Sequence, residues 1–321
     1  MNPSLAYLDS FFPSLPCNYP IEDFQLALQT SGFARIKQKS FGLPSWMEYN
    51  AERVLGRIVR NVCEGLGPQL LCLLMGPAAH RLVPDGILNR CSIYCWDTWP
   101  ENFARWDSLF ERFRTPIAFF SSRQAKERFE SCSPDIRCYW VPEATDPTIY
   151  DSSKPLSRRS INVLELGRRY NAFHQEITPV LASARISHLY ESSPGRVIFD
   201  TREGLIQGLA DSKILISFPA SVTTPSRAAI ETVTHRYFQG MASGCLLVGR
   251  CPSELQDLIG YNPVIEVDFS NASEQILNVL QSIEAYQDFV NQNLETVRHE
   301  GCWKERVAFI KSVLVGSTIG A

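Results

Sequence analysis

Between Ser217 and Arg250 the chain reads SFPASVTTPSRAAIETVTHRYFQGMASGCLLVGR, a stretch dense in residues that can do chemistry. Ser221 offers a hydroxyl and Arg227 and Arg236 offer fixed positive charge, while Glu231 and Gln239, separated by seven residues, offer a carboxylate and an amide. A strand-like run enters this polar loop, an amphipathic helix follows, Gly244 stops it, and Cys245 to Val248 form a second apolar strand. Open parallel sheets place ligands in such loops, because strand carboxyl ends and helix amino ends converge there with unpaired backbone N–H groups. The same residues also fit a helix that needs no ligand. In that reading Thr224 caps it, Pro225 starts it, Ile230, Val233, Tyr237 and Met241 form its buried stripe, and Glu231 pairs with His235 on its surface.

Two further sites carry charge at strand ends. Gly167-Arg168-Arg169 puts two guanidinium groups at a strand-to-helix turn, where they can hold a diphosphate or remain solvated. Asp97, in Cys95-Trp96-Asp97-Thr98-Trp99, is the carboxylate best placed to orient or deprotonate an acceptor hydroxyl, and it equally suits a strand-end cap. His80 and the loop Gly76 to Asp85 lie at a comparable edge.

The elements that position these residues alternate between helix and strand, which predicts a mostly parallel α/β architecture of doubly wound type. With 321 residues and 45% hydrophobic composition the chain can bury two cores. The first forty residues show a short helix near Ile21 to Thr30 and no strand, and Met47 to Glu64 has helical spacing at Val54, Ile58 and Val62. Strands are expected at Gln69 to Gly76, Ser92 to Trp96, Pro116 to Ser121 and Cys138 to Val141. Pro142 to Pro155 concentrates proline, aspartate and serine and reads as a linker, giving domains 1–155 and 156–321. Beyond it strands are expected at Ile161 to Leu166, Arg196 to Phe199, Ile214 to Phe218 and Val264 to Val267, and helices at Asn171 to Ala184, Arg202 to Ala210 and Ser253 to Leu258. Helical pattern then runs over Ala272 to Tyr286 and Asp288 to Val313. Two such domains joined by one linker imply a cleft between strand carboxyl edges, suited to a ligand with two unlike halves.

Composition narrows the function classes. A net charge of −3 gives no drive towards nucleic acid or an anionic membrane. The apolar run Leu70 to Met75 falls far short of the roughly 20 residues of a membrane span. Ten cysteines without a CxxC pair, and no secretory leader at Met1 to Phe12, read as reduced thiols in a cytoplasmic protein. Cys91 and Cys95 read as core residues rather than zinc ligands. No strand leads into G-x-G-x-x-G, which disfavours a nicotinamide-dependent dehydrogenase.

The stretch Pro219 to Gly244 resembles retaining, nucleotide-sugar-dependent glycosyltransferases of the GT-B fold, in particular the family-4-like group and its spore-maturation-protein-like branch. Pro219 and Ser221 match the strand end, Glu231 the first glutamate, Gln239 the second, and Met241-Ala242-Ser243-Gly244 the small-residue helix end before Cys245-Leu246-Leu247-Val248. Trp140 to Pro147 resembles the last strand of the family's first domain and its hinge, and Val163 to Arg169 the opening strand of its nucleotide domain. The resemblance implies two Rossmann-like domains, with Glu231 at the donor sugar's hydroxyls and Gln239, in place of a glutamate, at the ribose. Asn171, Phe173 and His174 stand where the family often has a lysine, so one phosphate-neutralising charge falls to Arg227 or Arg236. The implied reaction is transfer of a sugar from a UDP- or GDP-linked donor to a small-molecule or glycan acceptor, with the diphosphate leaving against Arg168 or Arg169 and the helix beginning near Glu231. No Asp-x-Asp metal motif is present, and no metal or further cofactor is expected. A nucleotide-sugar-binding or scaffold protein without catalysis, or a sugar-nucleotide epimerase of the same fold, are the alternatives.

Overall fold

QLLCLLM and RCSIYCW have the near-continuous apolar character of parallel strands covered on both faces. In the computed structural model, which describes residues 5–9, 19–38, 69–83, 85–167, 169–193 and 196–316, they lie at the centre of a six-stranded sheet. Its strands are β1 (Leu5–Asp9), β2 (Ala34–Lys37), β3 (Gln69–Met75), β4 (Arg90–Trp96), β5 (Ile117–Phe120) and β6 (Arg137–Trp140), in the order β2-β1-β3-β4-β5-β6 with every pairing parallel. Helix α1 (Tyr19–Thr30) joins β1 to β2. Helix α2 (Phe103–Phe113) buries Trp106, Leu109, Phe110 and Phe113, and α3 (Arg123–Cys132) buries Ala125 and Phe129. Strands β1 and β2 fall where the sequence promised none. The second is an edge strand of four mostly exposed residues and carries no apolar alternation. The expected helix Met47 to Glu64 and the proline-rich stretch before Tyr19 lie outside the described residues.

A second sheet has the order β11-β10-β9-β7-β8, again all parallel, from β7 (Ile161–Glu165), β8 (His188–Tyr190), β9 (Ser212–Ser217), β10 (Leu246–Gly249) and β11 (Val264–Glu266). Alternate residues of each strand enter different cores. Val163, Ile214, Ile216, Leu246 and Val248 meet α4 (Asn171–Ser183) and α8 (Ala272–Gln281). Leu164, Leu215 and Leu247 meet α5 (Arg202–Ala210), α6 (His235–Ala242) and α9 (Gln287–Glu300) on the other face. Helix α7 (Ser253–Ile259) precedes β11, and α10 (Trp303–Gly316) follows a break at Gly301. Among the described residues one compact unit takes 24–142 and 306–316 with β1, and the other takes 19–23 and 143–305.

Three expectations are corrected here. The strand expected at Arg196 to Phe199 is irregular, and β8 lies earlier. Phe199 packs on α5 instead, so closely that a Cβ at Gly208 would sit 2.0 Å from its ring. The helix expected to run through to Tyr286 ends at Gln281 and gives way to a 3-10 turn, Ile283–Tyr286. The helix expected from Thr224 begins only at His235, because the β-branched run Thr232-Val233-Thr234 disfavours helix, although Val233, Tyr237 and Met241 are all fully buried as its spacing implied.

Cysteines serve the cores. Cys91 and Cys95 are buried on β4, Cys91 lies 3.6 Å from Cys72 of β3, and burial raises the Cys245 thiol to about 11 and the Cys251 thiol to about 12. Neither thiol is a nucleophile at neutral pH. Among the described residues no helix is long and apolar enough to cross a membrane.

Arg159, 3% exposed, holds the second unit together from inside. Its guanidinium donates to three backbone carbonyls, Lys154 at 3.0 Å, Ser212 at 2.9 Å and Ser243 at 2.9 Å. A lysine there cannot reproduce the planar fork. Arg159→Lys is therefore expected to lower stability by about 2 kcal/mol, from buried carbonyls left without donors, read as a lower urea midpoint with unchanged slope.

Candidate functional site

The chain leaves β7 on one side to make β8 and returns on the other to make β9, so the sheet has its switch point between the carboxyl ends of β7 and β9. At the end of β7 Gly167 has φ +72°, a left-handed turn that glycine adopts without strain. Bare backbone is needed there for a second reason. A Cβ on Gly167 would come within 2.7 Å of Arg236 Nη2, so the guanidinium from the first turn of α6 lies over the turn.

Gly167, Arg236 and Gln239 line one cavity of about 180 Å³ together with Phe199, Leu205 and His235. Of the two arginines offered as substitutes for the missing lysine, Arg236 is the one the fold brings to β7; Arg227 lies in the 3-10 turn Pro225–Arg227 and does not line the cavity. Gln239 is buried and its amide nitrogen donates to Tyr150 Oη at 3.0 Å, which leaves the amide oxygen as its acceptor for a ligand. Burial raises the Tyr150 phenol above its ordinary value, so it stays protonated and neutral beside the amide.

Arg169 does not line this cavity. Its Nη1 lies 3.3 Å from His174 Nε2 and its guanidinium 5.6 Å from the centre of the Tyr190 ring. It precedes the amino end of α4, whose first turn has no side-chain cap. Arg168 lies outside the described residues. Ser221 sits in the short helical turn Ala220–Thr223 beyond β9. The hydroxyls of Ser217, Ser221 and Thr223 are all shielded from solvent with no hydrogen-bond partner among the described residues. Three unsatisfied hydroxyls within seven residues of a sheet's carboxyl edge are a concentration that a polar ligand would relieve.

Glu231 is occupied. Its Oε2 accepts from Ser253 N at 2.9 Å and so caps α7. The surface pair expected between Glu231 and His235 is replaced by a residue the sequence reading passed over. Glu143 Oε2 accepts from His235 N at 2.7 Å and from His235 Nδ1 at 3.0 Å, placing a carboxylate at the amino end of α6. A leaving diphosphate at that helix end would meet like charge, which shifts the expected anion position towards Arg169 and α4. Glu143 follows Pro142 in the linker, and nothing local in the sequence marks its partner 92 positions away.

In the first unit Asp97 lies exposed at the carboxyl end of β4 with φ +51°, and its Oδ1 accepts from Trp99 Nε1 at 3.1 Å. That is the geometry of a turn residue, a conformation aspartate tolerates. A cavity of about 700 Å³ lies between the loop Met75 to His80 and the face of α2 that carries Arg105, Ser108 and Arg112. His80 lines it and Asp97 does not.

Among the described residues one cluster has metal-ligand chemistry. Glu165, His174 and His188 bring ligand atoms within 4.8 Å of one another. The neighbours of His174 oppose a metal, since a ligating histidine donates its other N–H to an acceptor, whereas His174 Nε2 faces a guanidinium.

No family model and no curated protein matches the sequence. Solved structures do resemble it. HepE from Anabaena, in complex with UDP-glucose, aligns over 96% of this chain and 99% of its own with TM-score 0.60 and 10% identity. Sucrose-phosphate synthase from Thermosynechococcus elongatus aligns over 99% of each chain with TM-score 0.63 and 11% identity. AviGT4, a glycosyltransferase involved in avilamycin A biosynthesis, aligns over 99% of each chain with TM-score 0.60 and 12% identity. The fold is that of GT-B glycosyltransferases, two parallel-sheet α/β units as the sequence implied.

The Glu143 contact makes a local prediction. Glu143→Gln keeps the shape and weakens the cap, so it should cost about 1 kcal/mol of stability, measured by thermal unfolding.

Proposed function

We propose that the chain is a glycosyltransferase that moves a sugar from a nucleoside diphosphate donor, UDP- or GDP-linked, to a small-molecule or glycan acceptor. One observation carries this reading. Residues of two separate sequence segments, Gly167 from one and Arg236 and Gln239 from the other, converge on a single cavity at the switch point of the second sheet. The unsatisfied hydroxyls of Ser217, Ser221 and Thr223 at the same edge support it, as does the fold shared with HepE, a protein solved with UDP-glucose and with UDP.

In this reading the Gln239 amide oxygen accepts from the ribose, Ser221 and Arg227 serve the donor from the β9 side, and Glu231 faces the sugar. With Oε2 held by Ser253 N, Glu231 is a fixed acceptor for sugar hydroxyls rather than a mobile base. Charge developing on the leaving diphosphate is met by Arg169, Arg236 and the open N–H groups of α4, which removes the need for a divalent metal. Asp97 orients the acceptor hydroxyl, giving up its indole partner to do so. Retention of anomeric configuration and a cytoplasmic location belong to the same proposal.

Loss of catalysis with donor binding kept is a second reading, favoured by Gln239 standing where the family has a carboxylate and by its tie to Tyr150. Thermal shifts and donor hydrolysis measured with a panel of UDP-, GDP- and dTDP-sugars separate the two. One nucleotide class should stabilise the protein, by about 2.7 kcal/mol at a hundredfold excess over Kd, with slow hydrolysis that Glu231→Ala abolishes. Stabilisation without turnover under any acceptor selects the binding protein, and no stabilisation by any nucleotide overturns both. Gln239→Glu should hold or strengthen nucleotide affinity, since Tyr150 can turn its hydroxyl proton towards a carboxylate.

A further inference from the structure

Glu165 ends β7 with a side chain only 4% exposed, and a carboxyl group taken out of water must be met by donors. Two imidazoles meet it. His174 Nδ1, near the start of α4, lies 3.0 and 3.1 Å from its two oxygens, and His188 Nε2, from β8, lies 3.0 Å from Oε1.

The far side of each ring fixes where its proton sits. His174 Nε2 is 3.3 Å from Arg169 Nη1, and a guanidinium has only donors, so Nε2 supplies the lone pair and Nδ1 carries the proton towards Glu165. His188 Nδ1 is buried with no hydrogen-bond partner among the described residues, which suits a bare lone pair and puts that ring's proton on Nε2, again facing Glu165. Both donors needed by the carboxylate are thereby supplied by neutral rings. A metal ion between the three groups would require the lone pair of His174 Nδ1 and would drive the ring proton onto Nε2, donor against donor with Arg169.

We propose that Glu165 and His174 are positioning residues for Arg169. Carboxylate, imidazole and guanidinium form one directed chain that holds Arg169 at the amino end of α4, ready for a diphosphate. This rests on the donor-binding reading above. Tyr190 is the second wall of the holder. Its ring lies under the Arg169 guanidinium and meets both imidazoles, at 4.6 Å from His174 and 4.7 Å from His188. Thr178, on the same helix as His174, donates to that residue's carbonyl and adds no charge. A free arginine would lose its rotamer freedom on binding an anion, whereas one fixed by folding binds without that loss.

Three variants, one spectrum and a zinc titration test this. His174→Phe keeps a ring against Tyr190 and removes both hydrogen bonds, while His174→Gln restores an acceptor towards Arg169; thermal unfolding checks that each is folded. Calorimetry with UDP and with inorganic pyrophosphate should show about tenfold weaker binding of both by the Phe variant and recovery of most of it by the Gln variant. Equal binding by wild type and the Phe variant overturns the positioning role and leaves donor binding standing. A ¹⁵N histidine spectrum of the unliganded protein, assigned by difference with His174→Gln, should show His174 protonated on Nδ1 alone, a readout that needs no donor. If neither UDP nor pyrophosphate binds wild type, donor binding fails and the spectrum decides the wiring by itself; a proton on Nε2 overturns it. So does zinc chloride, if it stabilises wild type and not His188→Ala.

Discussion

The second unit depends on one buried cation. Arg159 collects carbonyls from the linker, from the start of β9 and from the residue after α6, and so ties together three elements far apart in the sequence. Helix α6 has only eight residues, about 12 Å of rise, so pinning its carboxyl end also decides where Arg236 falls at the other end and Gln239 in the middle. Gly244 belongs to the same constraint. It has φ +65°, and a Cβ there would sit 2.9 Å from Arg159 Nη2, so the glycine after the helix serves as both stop signal and seat for the guanidinium. A glycine that looks like punctuation in the sequence is part of the site's foundation.

Much of the fold was legible because local pattern and global fold agree. Gln69–Met75, Ile161–Glu165 and Arg202–Ala210 all fall within a residue of their apolar runs and breakers. What escaped lacked a local signal. β1 has no flanking periodicity, β2 and β8 are three or four residues long, and Val197 with Phe199 mimics a strand although Phe199 is drawn to Gly208 across the chain. At the site, glycine and arginine at a strand end were readable because the chemistry lies in one segment. Glu143 with His235, Glu165 with His174 and His188, and Gln239 with Tyr150 were not, because each partner comes from a different element. The one available hint was Glu165 itself, a charged residue inside the apolar run INVLELG, which must find donors if that run is a buried strand.

The two sides of the switch point differ in how their polar groups are treated. At the end of β7 the Glu165 carboxyl group, both imidazoles and the Arg169 guanidinium meet partners of opposite hydrogen-bonding character, with the bare lone pair of His188 Nδ1 as the exception. At the end of β9 Ser217, Ser221 and Thr223 are shielded and unmatched. A satisfied network is stiff, and each unsatisfied buried hydroxyl costs free energy that a ligand can recover. One strand end thus carries a guanidinium held in place by a satisfied network, and the other carries hydroxyls with hydrogen-bonding capacity to spare, a combination that suits the polar anionic ligand proposed above.

In the proposed reading the helix ends give that ligand its direction. The amino end of α6 is filled by Glu143, a carboxylate doing for the helix what a phosphate would otherwise do, while the amino end of α4 has no side-chain cap and has Arg169 beside it. An anion entering at the switch point gains at α4 and is repelled at α6. Of the groups on α6, the neutral Gln239 and the arginine over Gly167 remain compatible with it, and both face the cavity. Position 239 stands one turn from the helix end that Glu143 occupies, and there the side chain is a neutral amide tied to Tyr150. A glutamine in that place is a weaker acceptor than a carboxylate but adds no charge, so the field at the mouth of α6 is set by Glu143 and Arg236 rather than by position 239.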